Sequence, residues 1–316
     1  MKKTLFAAAL ALASTAAFAR TDALSLVPKD AVTVGVVHIN QIRSSPLSSA
    51  LFQNTDKVSA NGEADRFLTE AGLDLGKDID VVVVATSPRT SLGHEADVVV
   101  LAEGRFNVDR LTTALVSRGA VKKNAYLMLP NSEKSGAVAF PDSHLAIVGN
   151  EEAVTEALAT RAAGGSGFAA AGLLGGYLTR IDPNATAWAL VDVARASRLT
   201  SAPHVSERHT DGPHEALASA IKSVTTMGVW ATDTGDALKL GAFGMANDTE
   251  TLQLVEDTVR GALSAMRLTV KDKSPDMVSV LRRFDVERTT DSVRVTGTIP
   301  GNDLRKLIAK QRAEER

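Results

Sequence analysis

The 316-residue chain contains no cysteine. This absence excludes disulfide bonds, thiolate-ligated metals, iron–sulfur clusters and a cysteine nucleophile. Aromatic residues are also scarce, at 4% of the chain, and only two of them are tryptophans. The formal net charge is −2, whereas general binding of nucleic acids or of anionic membranes requires a basic surface. The composition therefore predicts no nucleic-acid partner.

Long apolar runs are missing beyond the N-terminal segment. The best later run, residues 81–85, has the length of a strand and is far shorter than the roughly 20 residues that span a bilayer. The GxxxxGK[ST] and GxGxxG motifs of nucleotide-binding folds are missing as well. At 44% hydrophobic and 23% charged residues, the composition is typical of a folded globular protein. We expect no cofactor and no transmembrane segment in the mature chain.

The first 19 residues, MKKTLFAAALALASTAAFA, have the organisation of an export signal. Lys2 and Lys3 form a positive start, an apolar stretch follows, and Ala17-Phe18-Ala19 has the small-x-small pattern that signal peptidase requires. The apolar stretch is also shorter than the roughly 20 residues of a retained membrane anchor. We therefore predict a signal peptide over residues 1–19 and a periplasmic or secreted mature protein.

An internal repeat organises the rest of the chain. The segment ALSLVPKDAVTVGVVHI, residues 23–39, aligns with YLTRIDPNATAWALVDV, residues 177–193, at an offset of 154 (177 − 23). Each copy is typical of a helical turn, a proline-containing corner and a strand. Farther along, VVVVATS at 81–87 matches MGVWATD at 227–233 in residue type. The order of elements is thus the same in both copies, which indicates a duplicated unit.

The repeat sets the expected domain organisation. A glycine-rich stretch, Gly164-Gly165-Ser166-Gly167, lies between the two copies. We predict a first half over residues 20–163, a glycine-rich linker over 164–167 and a second half over 168–316. The strand at 32–39 is expected to occupy the same place in its half as the strand at 186–193.

Each half has the local patterns of hairpins and amphipathic helices. Hairpins are predicted at 78–87 with 96–104 and at 225–232 with 237–243. Asn107, Asn150 and Asp248 are typical N-caps for the helices that follow them. The chain is therefore predicted to be α+β: two similar halves of mainly antiparallel strands and hairpins with helices packed on the sheets.

A histidine-rich segment is the first candidate site. His204, His209 and His214 lie within eleven residues, close to acidic residues, and imidazole with carboxylate is a ligand set for zinc, copper or nickel. The three histidines do not share one face of a helix, and the neighbouring Pro203 and Pro213 indicate a loop. A metal site and a solvated loop are the two interpretations.

The second candidate site lies between the halves. His38 and Asp192 occupy matching positions at the ends of the two repeat strands. If a pseudo-two-fold axis relates the halves, these side chains could meet, which would form a polar site at the interface between the halves. Two polar strand ends that face water are the alternative interpretation.

The start of the mature chain, TDALSLVPKDAVTVGVVHI, resembles a family of exported bacterial proteins of unknown function. Those proteins begin with a VP-x-DA corner and repeat a strand–helix–hairpin–helix unit. The resemblance covers most of the mature chain, and it implies a periplasmic protein with tandem α+β halves. It implies no activity and no catalytic residues.

Because no catalytic set is recognisable, we expect an exported, non-catalytic protein that acts as a binding or envelope-structural module. Its partner would be an unknown envelope protein or a small ligand. One alternative is a metal-binding or metal-dependent hydrolytic protein that uses His204, His209 and His214. A further alternative is a carrier of an apolar ligand.

Processing provides a direct test of the export signal. Intact-mass analysis of protein released by osmotic shock should give a mature N-terminus at Arg20, and Ala19→Leu should block cleavage because the peptidase needs a small residue there. Ala9→Leu, within the apolar stretch, is the matched control. Wild-type protein that retains Met1 and remains in the membrane pellet would contradict the prediction.

Overall fold

The computed structural model describes residues 22–47, 63–89, 96–130, 136–199, 220–271 and 274–314. Ten α-helices are seen in these ranges, together with the 3₁₀ helices Asp22–Leu26 and Gly175–Arg180. The strands are β1 Thr33–His38, β2 Ile79–Pro88, β3 Ala96–Gly104, β4 Val121–Lys122, β5 Leu127–Met128, β6 Gly136–Asp142, β7 Leu145–Asn150, β8 Ala187–Asp192, β9 Thr226–Asp233, β10 Ala237–Met245, β11 Phe284–Arg288 and β12 Ser292–Pro300. The helices are α1 Ile39–Ser44, α2 Glu63–Ala71, α3 Leu75–Asp78, α4 Val108–Ser117, α5 Glu151–Ala162, α6 Phe168–Ala171, α7 Val193–Leu199, α8 Thr249–Val270, α9 Pro275–Leu281 and α10 Gly301–Glu314.

All of these strands belong to a single sheet in the order β11-β12-β10-β9-β8-β1-β2-β3-β7-β6-β5-β4. Every adjacent pair is antiparallel. Outward from the centre, β1-β2-β3-β7-β6 has the same succession of elements as β8-β9-β10-β12-β11. The prediction of an α+β fold with two similar antiparallel halves is therefore confirmed, and the halves share one continuous sheet.

A pseudo-two-fold axis passes through the centre of the sheet. In the β1–β8 ladder Gly35 lies opposite Ala189, and these two residues differ by 154 (189 − 35), the offset of the sequence repeat. The remaining pairs, such as Val34 with Leu190, are placed symmetrically about this pair. The predicted equivalence of the two repeat strands is thus confirmed, and the axis passes between Gly35 and Ala189.

The predicted alignment of 81–87 with 227–233 is wrong by one residue. Ala85 pairs with Val34 in β1, and Trp230 pairs with Trp188 in β8; because 34 and 188 are equivalent, Ala85 corresponds to Trp230. The burial pattern agrees, since the equivalent residues Val84 and Val229 are each 39% exposed. A shift of one residue moves every side chain to the other face of a strand. The strand pairing therefore determines the alignment of β2 with β9, which similarity of residue type did not.

Along the chain, β7 is the last strand of the first half and β8 is the first strand of the second half. The interval between these strands contains the glycine-rich stretch 164–167, which lies between α5 and α6. Gly164, Gly165 and Gly167 have positive φ angles, a backbone conformation that favours glycine. The exact boundaries at residues 163 and 168 stay a prediction.

Two of the three predicted helix caps are confirmed. The side chains of Asn107 and Asp248 accept hydrogen bonds from the N–H groups of Arg110 and Thr251, at 3.0 and 2.7 Å. The prediction for Asn150 is wrong: α5 follows it, but its side chain makes no cap. That side chain accepts a hydrogen bond from the N–H of Val98 and donates one to a carboxylate of β3. Its oxygen is therefore bonded to the sheet and does not cap the backbone of α5.

Helices pack on both faces of the sheet. The face that carries Val99 and Ile147 is covered by α5 and is here named the α5 face. The opposite face, here named the α8 face, is covered at one end by α8, whose Leu252, Val255 and Leu263 pack against β11 and β12. At its other end α2 and α4 cover it. Within the described ranges, no helix combines the length and the apolar character needed to cross a bilayer.

A glycine at the β8–β9–β10 junction sets the packing of the second half. A Cβ atom at Gly228 would lie 2.3 Å from the ring of Phe243 and 2.9 Å from Leu190, both fully buried. Gly228→Ala should therefore lower the free energy of unfolding by about 1–3 kcal/mol through overpacking. The measurement is urea denaturation of the mature protein.

The matched control is Gly261→Ala on the exposed side of α8, where an added Cβ has no neighbour within 4 Å. That substitution should raise stability by about 0.5–1 kcal/mol, because alanine loses less conformational entropy than glycine in a helix. Equal effects of the two substitutions would contradict this account of the packing.

Candidate functional site

The two halves differ on the α5 face. In the first half α5 lies across β3, β6 and β7, and the side chains beneath it are buried: Val99 is 2% exposed, and Ala137 and Ile147 are 0% exposed. The corresponding helix of the second half is α10, which follows β12 as α5 follows β7. Its main contacts among the described residues are with β12 and α9. Among the described residues, no helix covers the α5 face of the second half as α5 covers that of the first.

The residues on this face differ in the same way. Carrying the register outward from the axis, Val99 corresponds to Gly241, Ile147 to Arg294 and Ala137 to Asp285. Ala85, 1% exposed, corresponds to a tryptophan. Burying a charged side chain beneath an apolar helix without a partner is costly. In the described structure, the half without a covering helix is thus also the half with polar residues on this face.

The result is an open cleft of about 520 Å³, here named the Trp230 pocket. Strands β9, β10 and β12 form its floor, β11 forms one rim, and residues 179–183 at the end of the second 3₁₀ helix form the opposite wall. Its ionisable lining residues are Arg180, Asp182, Lys239, Arg283, Asp285 and Arg294.

The floor is organised around Trp230, whose indole lies over Gly241. A Cβ atom at that position would be 2.1 Å from Cζ2 of the indole, so the close approach requires glycine. The Arg294 guanidinium carbon lies 5.2 Å from the indole centroid, a cation–π contact, and the Phe243 ring lies 6.4 Å away. Trp230 is only 8% exposed, which makes it a fixed support for Arg294.

The wall is tied to the turn between β11 and β12. Arg180 Nη2 lies 2.5 Å from Asp291 Oδ2, and Arg180 also donates to the hydroxyl of Ser292. These interactions with Arg180 are the main reason that the pKa of Asp291 lies below its usual value. The backbone carbonyl of Arg180 in turn accepts a hydrogen bond from Arg294 at 3.2 Å. The wall and floor therefore hold each other in place.

The two carboxylates that line the pocket are already hydrogen bonded. Asp182 accepts from the N–H of Asn184 and from the hydroxyl of Thr232, both at 2.9 Å. Asp285 accepts from the N–H of Val286 at 2.9 Å. Both oxygens of Asp182 and one oxygen of Asp285 are thus engaged within the protein.

The cations are engaged to different degrees. Arg180 has its partner in Asp291, and Arg283 approaches Asp303 at 3.9 Å. Within the described part of the chain, no carboxylate oxygen comes within 4 Å of the cationic groups of Arg294 or Lys239. The pocket therefore presents two charged donors without a contacting acid.

The structure does not bring His38 and Asp192 together, so the hypothesis of a polar site between them is wrong. The N–H of His38 donates to the carbonyl of Thr186, whereas Asp192 lies six residues farther along (192 − 186) and donates to Val32. At about 3.3 Å per residue this separation is about 20 Å. An antiparallel ladder across a two-fold axis places equivalent residues on opposite sides of the axis, and only those on the axis meet.

Both residues have local surroundings instead. The carboxylate of Asp192 caps α7 by accepting from the N–H of Arg195 at 2.9 Å. His38 precedes α1 without a capping hydrogen bond from its side chain, and burial lowers its pKa. Each is a residue at the junction between a strand and a helix.

His204, His209 and His214 fall within residues 200–219 and lie outside the described residues. The metal hypothesis attached to them stays a prediction. In the ranges that the structure does describe, no group of three or more histidine or acidic side chains could hold a metal ion.

A second cleft, of about 440 Å³, lies in the first half and contains Asp80, Glu103, Asp142, His144 and Arg161. Its ionisable groups are hydrogen bonded or paired within the protein. Glu103 accepts from the N–H of Ala23 at 2.5 Å, and Asp142 is paired with Arg161. This cleft has the bonding of a structural cluster.

An apolar row crosses the α8 face at the centre of the sheet. Val148, Val100, Val84, Gly35, Ala189 and Val229 are successive partners on six adjacent strands. Three of these valines are 37–39% exposed. This set is here named the central apolar row.

Sequence reasoning did not identify the Trp230 pocket. A signal was present, because aligning the repeats by strand register pairs buried apolar residues of the first half with Trp230, Arg294 and Asp285. Recognising it requires the register of five strands, and the alignment based on residue type was shifted by one residue at β9.

No family model matches the chain, and no curated protein sequence matches it. Solved structures similar to it include crystal form I of TP0453, with a TM-score of 0.43 and 10% identity over 92% of this chain and 98% of that chain. Crystal forms III and IV of TP0453 have TM-scores of 0.45 and 12% identity, and cover 92% and 93% of this chain and 99% of theirs. At this level of similarity, the proposals below rest on the residues of this chain alone.

Proposed function

We propose that this protein is an exported, non-catalytic binding protein for a small molecule, and that the Trp230 pocket is its binding site. The observation that carries the proposal is the difference between the halves. At equivalent places on one sheet face, the first half has buried apolar residues under a helix, and the second half has an open cleft with charged residues.

The form of the pocket supports binding. Its volume, about 520 Å³, lies within the range of roughly 300–1,000 Å³ that is typical of small-molecule sites. Apolar surface from Trp230 and Ile181 is combined with a few fixed polar groups, as in such sites. Because Trp230, Arg294 and Arg180 hold one another, the site is largely formed before a ligand enters.

A non-catalytic role is favoured by the state of the two carboxylates. A general base must direct an oxygen at a proton of the substrate. Asp182 and Asp285 instead accept hydrogen bonds from backbone N–H groups of their own segments. Export after Ala19 and a periplasmic location remain part of the proposal on the grounds of the N-terminal sequence.

Native mass spectrometry tests the proposal. The mature protein is incubated with a low-molecular-mass extract of the producing cells and then desalted, and the wild type should retain an adduct of small-molecule mass. Thr296→Trp should abolish the adduct, because Thr296 is an exposed residue of the pocket floor and a large ring there fills the cleft.

The matched control is Thr290→Trp, in the exposed turn beside the pocket but outside its lining. It should leave the adduct unchanged, and circular dichroism should show that both variants fold. Absence of any adduct on the wild type would contradict the proposal, as would an adduct that survives Thr296→Trp.

The central apolar row favours a second candidate function, the carriage of a neutral hydrocarbon ligand. The six residues of the row contain no polar side chain, and contiguous exposed apolar surface often marks an interaction site. Val84 and Val229, each 39% exposed, lie on the two sides of the axis.

The uncharged fluorophore N-phenyl-1-naphthylamine tests this candidate. Its emission should rise on binding to the wild type and fall several-fold in a Val84→Asn, Val229→Asn double variant, because amide groups make the row polar. Leu268→Asn is the control, since Leu268 is 72% exposed on α8, away from the row. Equal emission from the wild type and the double variant would exclude the row as the binding surface.

A further inference from the structure

We infer that the Trp230 pocket selects small organic anions, with the carboxylate or phosphate oxygens of the ligand bound by Arg294. This inference rests on the proposed function and specifies the ligand class of the same site. The argument concerns which hydrogen-bonding groups of the pocket are already used and which are available.

The available groups are donors. Arg294 carries five N–H donors, and one hydrogen bond of its side chain, to the carbonyl of Arg180, is identified in the described structure. Lys239 adds an exposed ammonium group at the other end of the pocket. The acceptors Asp182 and Asp285 are engaged by donors of the protein. A ligand that supplies acceptors therefore matches the pocket better than one that supplies donors.

Arg294 is held in position for this role. The indole of Trp230 lies against its guanidinium, and the Arg180 carbonyl fixes one of its N–H groups. A guanidinium offers parallel N–H donors that match the two oxygens of a carboxylate or phosphate. Because its geometry is fixed before binding, little side-chain entropy is lost when the anion arrives.

The surroundings favour a strong interaction between Arg294 and an anion. The side chain is only partly exposed, and an interaction between charges is less screened at such a site than on an open surface. Asp291, an acidic residue beside the wall, is paired with Arg180, and Glu287 lies opposite Arg294 in the β11–β12 ladder. In the first half the equivalent position is Ile147, which is 0% exposed. The fold that the halves share therefore does not require a cation at this position.

The rest of the pocket determines the body of the ligand. Ile181 and Pro183 line it between the Arg294 end and the Lys239 end. Arg294 lies opposite Phe243, four residues from Lys239 along β10 (243 − 239), or about 13 Å at about 3.3 Å per residue. The space suits a compact hydrocarbon body with one anionic group.

Four probes that share a phenyl ring test the inference: benzoate, phenyl phosphate, benzyl alcohol and benzylamine. Isothermal titration calorimetry with the mature protein should show binding of at least one anion, and benzylamine should bind at least tenfold more weakly. The affinity for the anion should fall as ionic strength rises. The preferred anion, carboxylate or phosphate, follows from the first two titrations.

Arg294→Gln should weaken binding of the preferred anion by about tenfold or more, the size expected for loss of a charged hydrogen bond, and should leave benzyl alcohol unchanged. The control is Arg288→Gln, an arginine of the same half whose partner is Glu256 of α8. It should leave all four affinities unchanged. In a Trp188→Phe background the fluorescence of Trp230 reports the same binding events.

Equal affinities for benzylamine and the anions would overturn the anion inference and leave the proposed binding function standing. Failure of both anions to bind would overturn it as well. Survival of the extract adduct in Thr296→Trp would instead remove the proposed function, because the small molecule would then bind elsewhere.

Discussion

Strands β1 and β8 join the two halves through a short antiparallel ladder in which Gly35 faces Ala189. Each half has its own hairpin and helices, but the orientation of one half relative to the other is set here. A slip of one residue in this ladder would place the α5 face of one half beside the α8 face of the other.

Because the ladder keeps equivalent faces on the same side, a difference between the halves becomes a difference between two regions of one surface. Val99 and Ile147 lie beneath α5, whereas Gly241 lies beneath the indole of Trp230 and Arg294 is partly exposed. The two similar halves therefore present two versions of one face, one beneath α5 and one that contains an open cleft. A binding site formed in this way needs few new residues, because the strands that position them are already in place.

The extent to which the sequence predicts this structure follows from the range of each interaction. Hairpins and the caps at Asn107 and Asp248 are local, and they were predicted correctly. The cap at Asn150 was wrong because a group on β3, far away in sequence, takes its side chain. His38 and Asp192 were paired wrongly because equivalence in sequence does not give the direction of the symmetry axis. In the described structure no helix covers the Trp230 pocket, and no local pattern encodes which strands α10 contacts.

The two edges of the sheet have a consequence of their own. In the described part of the chain the twelve-stranded sheet ends at β4 on one side and at β11 on the other, and exposed edge strands are templates for pairing with another chain. At one edge β4 is only two residues long, and at the other β11 carries the exposed charges of Asp285, Glu287 and Arg288. Short or charged edges oppose growth of the sheet into a neighbouring molecule. Asp285 thus lies both at the border of the pocket and on the charged edge strand.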